Sequence, residues 1–204
     1  SDGTILHQLG PATREKLKIE QIPKPVVDAF IASEDRRFYE HDGVDFQGIA
    51  RAMFRNLTSG DLVEGGSTLT QQLARIVYLN QDRSIGRKLR EAMIAQKLER
   101  EVDKKQILEK YLNLVYLGSN AYGVADAAWI YFSKPISQLT LSEAATIAGL
   151  PPAPSIYSPL ENLDKARQRR NIVLDRMVAT GSITMAQAQA AKAEPLTVKP
   201  SEPK

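Results

Sequence analysis

Glu34 sits where a carboxylate is most open to chemistry. From Val26 the residues Val27, Phe30, Ile31, Glu34 and Phe38 recur at helical spacing, and Glu34 is the one acid on that apolar stripe. A carboxylate there loses hydration, and near a helix C-terminus it also faces the negative end of the dipole. Both effects favour the neutral form and raise the carboxyl pKa, each unit corresponding to about 1.4 kcal/mol. A base poised nearer neutrality suits proton abstraction from a sugar hydroxyl. The competing reading is a structural salt bridge from Glu34 to Arg36 or Arg37, since ion pairs perturb carboxylates too.

A second constellation is Gly65-Gly66-Ser67-Thr68-Leu69-Thr70-Gln71-Gln72-Leu73-Ala74-Arg75. A Gly pair leading into a helix N-terminus is a ready anion site, with free N–H groups at the positive end of the dipole. Ser67, Gln71 and Arg75 fall at i, i+4 and i+8, so one face presents hydroxyl, amide and guanidinium to a sugar and a phosphate. A plain capped surface helix explains the same residues equally well.

The third runs from Arg83 to Glu91. It places four cations, Arg83, Arg87, Lys88 and Arg90, within eight residues beside the carboxylate of Glu91. A solvated basic face is the usual explanation of such a run. His41 has Asp45 four residues on and could be an oriented imidazole, although a half-buried structural histidine is the commoner case.

Elements that could hold these groups are legible as helices. Expected spans are about 45–58, 67–80, 84–100, 103–114, 122–132, 140–149, 161–180 and 184–193, with Pro151, Pro152, Pro154 and Pro159 forming a rigid loop. Thr68 with Gln71 three residues on has the form of a capping box. Phe46, Ile49, Ala50, Met53, Phe54 and Leu57 make an unbroken apolar stripe on the 45–58 helix, with Gln47, Arg51 and Arg55 on the opposite face. Tyr111, Leu112, Tyr116 and Leu117 read as core. Residues 1–25 read as irregular, and Glu194 to Lys204, with three prolines, as a linker. No strand alternation or internal repeat is evident, so the fold class is mainly α.

Composition narrows the function further. With no cysteine and only His7 and His41, thiolate chemistry is excluded and a histidine-built zinc centre is disfavoured. The net charge of +3 and 6% aromatic content give no base-stacking surface, so nucleic acid is not an expected partner. No run of 18 apolar residues is present. The first residue, Ser1, suggests a fragment of a longer protein.

Five ordered segments together resemble the peptidoglycan glycosyltransferases (family 51 glycosyltransferases) of class A penicillin-binding proteins and their monofunctional relatives. They are Glu34-Asp35-Arg36-Arg37-Phe38 through His41, Gly43 and Asp45; Gly65-Gly66-Ser67-Thr68 through Gln71-Gln72; Arg87-Lys88 to Glu91 and Leu98-Glu99; Ile107-Leu108 through Tyr111-Leu112-Asn113 to Gly118; and Arg169-Arg170 with Val173-Leu174. The likeness covers nearly the whole chain, from about Asp2 to Pro195.

The resemblance implies a lysozyme-like helical head over residues 1–195, with a smaller membrane-proximal lobe around 45–66 and a linker at 196–204. It implies polymerisation of lipid II into β-1,4 glycan strands, with inversion and release of undecaprenyl diphosphate, at the outer face of the bacterial cytoplasmic membrane. Glu34 would be the general base and Glu91 the second carboxylate, orienting substrate or cations. Asp35, Arg37, Phe38, His41, Arg51, Ser67, Thr68, Gln71, Gln72, Arg75, Arg83, Arg87 and Lys88 would contact substrate. Many members carry lysine where Arg75 stands; arginine keeps the charge and changes the donor geometry. No tightly bound cofactor is implied, although Mg or Mn could neutralise the diphosphate. An upstream anchor and a transpeptidase domain in the full-length protein are implied, with lipid II, the growing strand and the membrane surface as partners. The rival readings are a lysozyme-like muramidase or lytic transglycosylase, and a non-enzymatic basic module that docks on membranes.

Overall fold

The computed structural model describes residues 16–60 and 65–201. The expectations for residues 1–15, 61–64 and 202–204, at the start of the head, within the small lobe and at the end of the linker, lie outside the described residues. Ten α-helices and no strand occur among those described, so the chain is mainly α. In order they are α1 (Lys24–Glu34), α2 (Phe46–Ser59), α3 (Leu69–Tyr78), α4 (Arg87–Glu101), α5 (Lys104–Leu114), α6 (Val124–Phe132), α7 (Leu141–Ala148), α8 (Pro154–Tyr157), α9 (Leu163–Ala179) and α10 (Met185–Ala193). The chain divides into two compact units, Ser1–Ser33 with Leu112–Lys204, and Glu34–Tyr111.

The first unit is built where small residues let helices approach. Ala144, Ala145 and Ala148 on α7 are buried, as are Val173, Leu174 and Met177 on its packing partner α9. Arg170 is fully buried on α9 and donates to Ser142 Oγ (3.1 Å), Lys192 O and Glu194 O (both 3.0 Å). Its guanidinium thereby satisfies carbonyls that the last turn of α10 leaves without intrahelical donors. Asn113 ties the entering chain to the same unit, accepting from Leu17 N and donating to Leu17 O, each at 2.8 Å. At the C-terminal end of α1, Arg176 Nη1 donates to Ser33 O at 2.9 Å.

Several expected features differ. The stripe assigned to one helix through Phe38 is interrupted, because α1 ends at Glu34 and residues 36–40 form turns. Phe38 N bonds Asp35 O at 3.0 Å, as the chain folds back to bring Asp35 against His41. α4 begins at Arg87 rather than Ser84, because Asp82 captures the Ser84 N–H (2.8 Å) and hydroxyl (2.6 Å) in a local turn. Those bonds, with Arg90, hold the Asp82 carboxyl down at about 2. The Pro-rich loop contains the short helix α8. Tyr116 is half exposed rather than core, its ring tilted against that of Tyr122 at 5.0 Å across an isolated antiparallel bridge. In the stretch read as a linker, Lys199 N bonds Tyr131 O at 2.9 Å and Ser201 Oγ bonds Trp129 O at 2.7 Å.

In the second unit α2 opens at Asp45, whose carboxylate accepts from Gly48 N (3.0 Å), and closes at Gly60 with φ of 74°. Only Gly48 and Ala52 are buried on this helix. Phe54 and Leu57 are 68% and 81% exposed, and Phe46 and Met53 are exposed with them. Packing into the chain's own core is therefore not the role of these four side chains.

Candidate active site

The second unit is organised around the N-terminus of α3. Thr68 and Gln71 form the expected capping box: Thr68 Oγ1 accepts from Gln71 N (3.0 Å) and Gln71 Oε1 from Thr68 N (2.9 Å). The next free donor, Leu69 N, bonds Asp35 Oδ2 at 3.0 Å. The expected open anion site is thus occupied by the chain's own carboxylate, which takes the position that the dipole favours for negative charge. Gln71 turns into the cap, so it does not share an outward face with Ser67 and Arg75.

His41 is oriented by Asp35, not by Asp45. Its Nδ1 accepts from Gly43 N (3.0 Å), leaving Nε2 to donate to Asp35 Oδ2 at 2.7 Å. Gly43 also accepts from Thr68 Oγ1 at 2.7 Å. Its φ is 102°, and an added Cβ would lie 2.8 Å from the Ala95 backbone, so both conformation and space require glycine. Lys104 donates to His41 O (2.6 Å) and Glu99 Oε1 (2.8 Å) and lies 4.5 Å over the Phe38 ring. Glu99 in turn accepts from Thr70 Oγ1 at 2.8 Å. Asp35, Phe38, His41, Thr68 and Gln71 are all buried and engaged with one another or with Lys104. Their geometry is that of a rigid joint.

Glu34 stands half-buried beside this joint. Its Oε2 accepts from Gln72 Nε2 at 3.3 Å, and Gln72 Oε1 accepts from the Tyr111 hydroxyl at 3.1 Å. Tyr111 is wholly buried, and burial, reinforced by the negative charge of Glu34, holds its phenol well above the usual tyrosine range; Arg75 opposes this. Arg37 is engaged on another side, by Asp45 (3.1 Å) and Glu40 (2.8 Å).

The other carboxylate, Glu91, is 0% exposed on α4. Lys88 Nζ bonds its Oε1 at 3.1 Å and also reaches Ser67 Oγ. Arg87 Nε lies 3.1 Å from Oε2 but out of line for a hydrogen bond, so that contact is one of charge. Glu34 and Glu91 are therefore both attached to the start of α3, through Gln72 and Ser67, which are five residues apart. Arg75 is half-buried in the last turn of α3, Arg51 half-buried on α2, and Arg83 exposed in the turn before α4. In general a carboxylate can take the proton of a hydroxyl, and guanidinium and ammonium groups can stabilise an anionic leaving group.

Lys104 carries no periodic signal in the sequence, whereas Glu99 and Tyr111 stand within the ordered segments with no site role attached to them. Among the described residues no group of three or more His, Asp or Glu side chains is placed to hold a metal ion. No helix among them is long and apolar enough to cross a membrane.

A family model described as Transglycosylase matches residues 2–178. Penicillin-binding protein 1A of Aquifex aeolicus is 48% identical over 197 residues, which are 97% of this chain and 27% of that protein. Penicillin-binding protein 1A of Escherichia coli is 49% identical over 194 residues, 95% of this chain and 23% of that protein. The chain thus spans about a quarter of the length of these curated relatives. A crystal structure of penicillin-binding protein 1A from Haemophilus influenzae is similar over 95% of this chain and 19% of that one, at 30% identity with a TM-score of 0.59.

Proposed function

This chain belongs to the transglycosylase family, the peptidoglycan glycosyltransferase domain of class A penicillin-binding proteins, and we propose that it polymerises lipid II with Glu34 as the general base. The acceptor 4-hydroxyl oxygen attacks the donor anomeric carbon from the face opposite the diphosphate, inverting it and giving a β-1,4 bond. The O4–C1 bond forms as the C1–O bond to phosphate breaks, and the electron pair departs on undecaprenyl diphosphate. The O4 proton passes to Glu34. A diphosphate leaves as a stabilised anion, so cations serve it better than a general acid would. Arg87, Lys88, Arg75 and Arg83 supply positive charge, and Glu91 holds the first two in place.

In this reading Arg37, Arg51 and Ser67 are substrate contacts, Gln72 meets the base itself, and Asp35, Phe38, His41, Thr68 and Gln71 keep those contacts in register. No tightly bound cofactor takes part; Mg or Mn would enter with the diphosphate, which chelates such ions itself. The exposed apolar side chains of α2 face the outer leaflet of the cytoplasmic membrane, where lipid-linked substrate resides. The full-length protein carries a membrane anchor and a transpeptidase domain.

The supporting observation is the pair of carboxylates attached to one helix start, Glu91 by way of Lys88 and Glu34 through the Gln72 amide. The test is incubation of the purified chain with lipid II and, separately, with finished glycan. Lengthening of lipid II into strands supports the reading. Shortening of finished glycan without polymerisation would replace it with a hydrolase.

A further inference from the structure

Gln72 has a side chain that can be placed either way round, since its oxygen and nitrogen are nearly the same size. Only one orientation helps an ionised Glu34, the one that presents Nε2–H to Oε2. The reversed amide would set a carbonyl oxygen against the carboxylate. The orientation must therefore be chosen by whatever meets the other end of the amide, and that is the Tyr111 hydroxyl at 3.1 Å.

A phenol can in principle donate or accept. Here burial and the neighbouring charge of Glu34 keep it protonated. Its ring is fully enclosed on α5, which fixes the phenol oxygen 3.1 Å from Gln72 Oε1. A protonated hydroxyl aimed at Oε1 leaves Nε2 to face Glu34. Tyr111 lies 39 residues along the chain from Gln72 and 77 from Glu34, and being wholly buried it cannot touch substrate.

The geometry points to Tyr111 as a positioning residue for the base: its hydroxyl sets the polarity of the Gln72 amide, and that amide holds the Glu34 carboxylate ionised and aimed. This rests on the reading of Glu34 as the general base. Removing the hydroxyl frees the amide to turn over, so the ionised carboxylate loses a donor and the reacting geometry loosens. Because no substrate contact is altered, the effect falls on kcat and leaves KM in place.

The test compares Tyr111→Phe, Gln72→Met, the double variant and Glu34→Gln with the parent, using lipid II polymerisation and circular dichroism for folding. Tyr111→Phe is expected to lower kcat roughly tenfold, with KM within about twofold, as for a change felt only in the transition state. Loss of a donor to the ionised form should move the acidic limb of the kcat–pH profile upward by about half a unit to one unit. Acting through Gln72, Tyr111→Phe should add nothing further in the double variant. If Tyr111→Phe does not fold, Gln72→Met carries the test, with the same expected kcat loss and limb shift. A folded Tyr111→Phe or Gln72→Met with parental kcat and pH profile, or fully additive effects in the double variant, would overturn the inference while Glu34→Gln remained inactive. A fully active Glu34→Gln would instead remove the reading beneath it.

Discussion

Gln72 Nε2 donates to Glu34 Oε2 across 3.3 Å, joining the first turns of α3 to the last residue of α1. That bond connects the second of the ordered sequence segments to the first. Its length marks it as a modest hydrogen bond. Glu91, by contrast, sits between Lys88 and Arg87. Under the proposed function Glu34 is the proton acceptor and Glu91 the electrostatic anchor, two acids of the same chemistry set apart by their surroundings.

The anchoring role of Glu91 has a stability signature. Glu91→Gln leaves the charges of Lys88 and Arg87 without their buried counter-ion, although both cations are partly exposed and screened. The expected loss is about 1–3 kcal/mol, read as a lower urea midpoint at unchanged m-value. Polymerisation should fall with it, because the cations are no longer aligned for diphosphate. Parental stability together with parental rate would remove Glu91 from both roles.

Gly43 tests the joint beneath the site. Gly43→Ala meets a positive φ and the Ala95 backbone at once. A destabilisation of at least about 2 kcal/mol is expected by chemical denaturation. A neutral effect would mean that the 41–45 turn does not depend on this close approach.

The exposed face of α2 predicts membrane binding. Phe54→Asp should reduce flotation of the chain with anionic liposomes without lowering its melting temperature, since Phe54 is 68% exposed. Equal flotation of parent and variant would remove the membrane role from this helix.

Tyr111 also predicts an alkaline effect. Its folded pKa is raised above the unfolded value near 10, so the folded state binds the proton more tightly. The stability this contributes is fully present below about pH 10 and is lost as pH rises through the folded pKa. Tyr111→Phe should therefore show a shallower loss of stability above pH 10 than the parent. The slope does not vanish, because burial also raises Tyr131. Identical alkaline slopes would contradict the assignment.

Much of this architecture was readable from local signals. Helix spans follow from apolar spacing, and the Thr68–Gln71 box was visible because both halves lie within one turn. Where short-range competition intervenes, the reading slips by a few residues: Asp82 takes the donors of Ser84 and delays α4, and Asp35 leaves α1 to reach His41. Distant contacts left no trace. Lys104 meets His41 across 63 residues, and Tyr111 meets Gln72 across 39, with no periodicity to mark either. Phe46, Met53, Phe54 and Leu57 show the converse limit, since an amphipathic stripe does not say whether core or another apolar phase covers it.

The most direct measurement is the initial rate of glycan-strand formation from lipid II by the parent chain and by Glu34→Gln, at matched folding and matched lipid II binding. Removing a general base while keeping its shape should slow polymerisation by about 10²–10⁴-fold with little change in binding. A Glu34→Gln chain that polymerises at the parental rate would contradict the account.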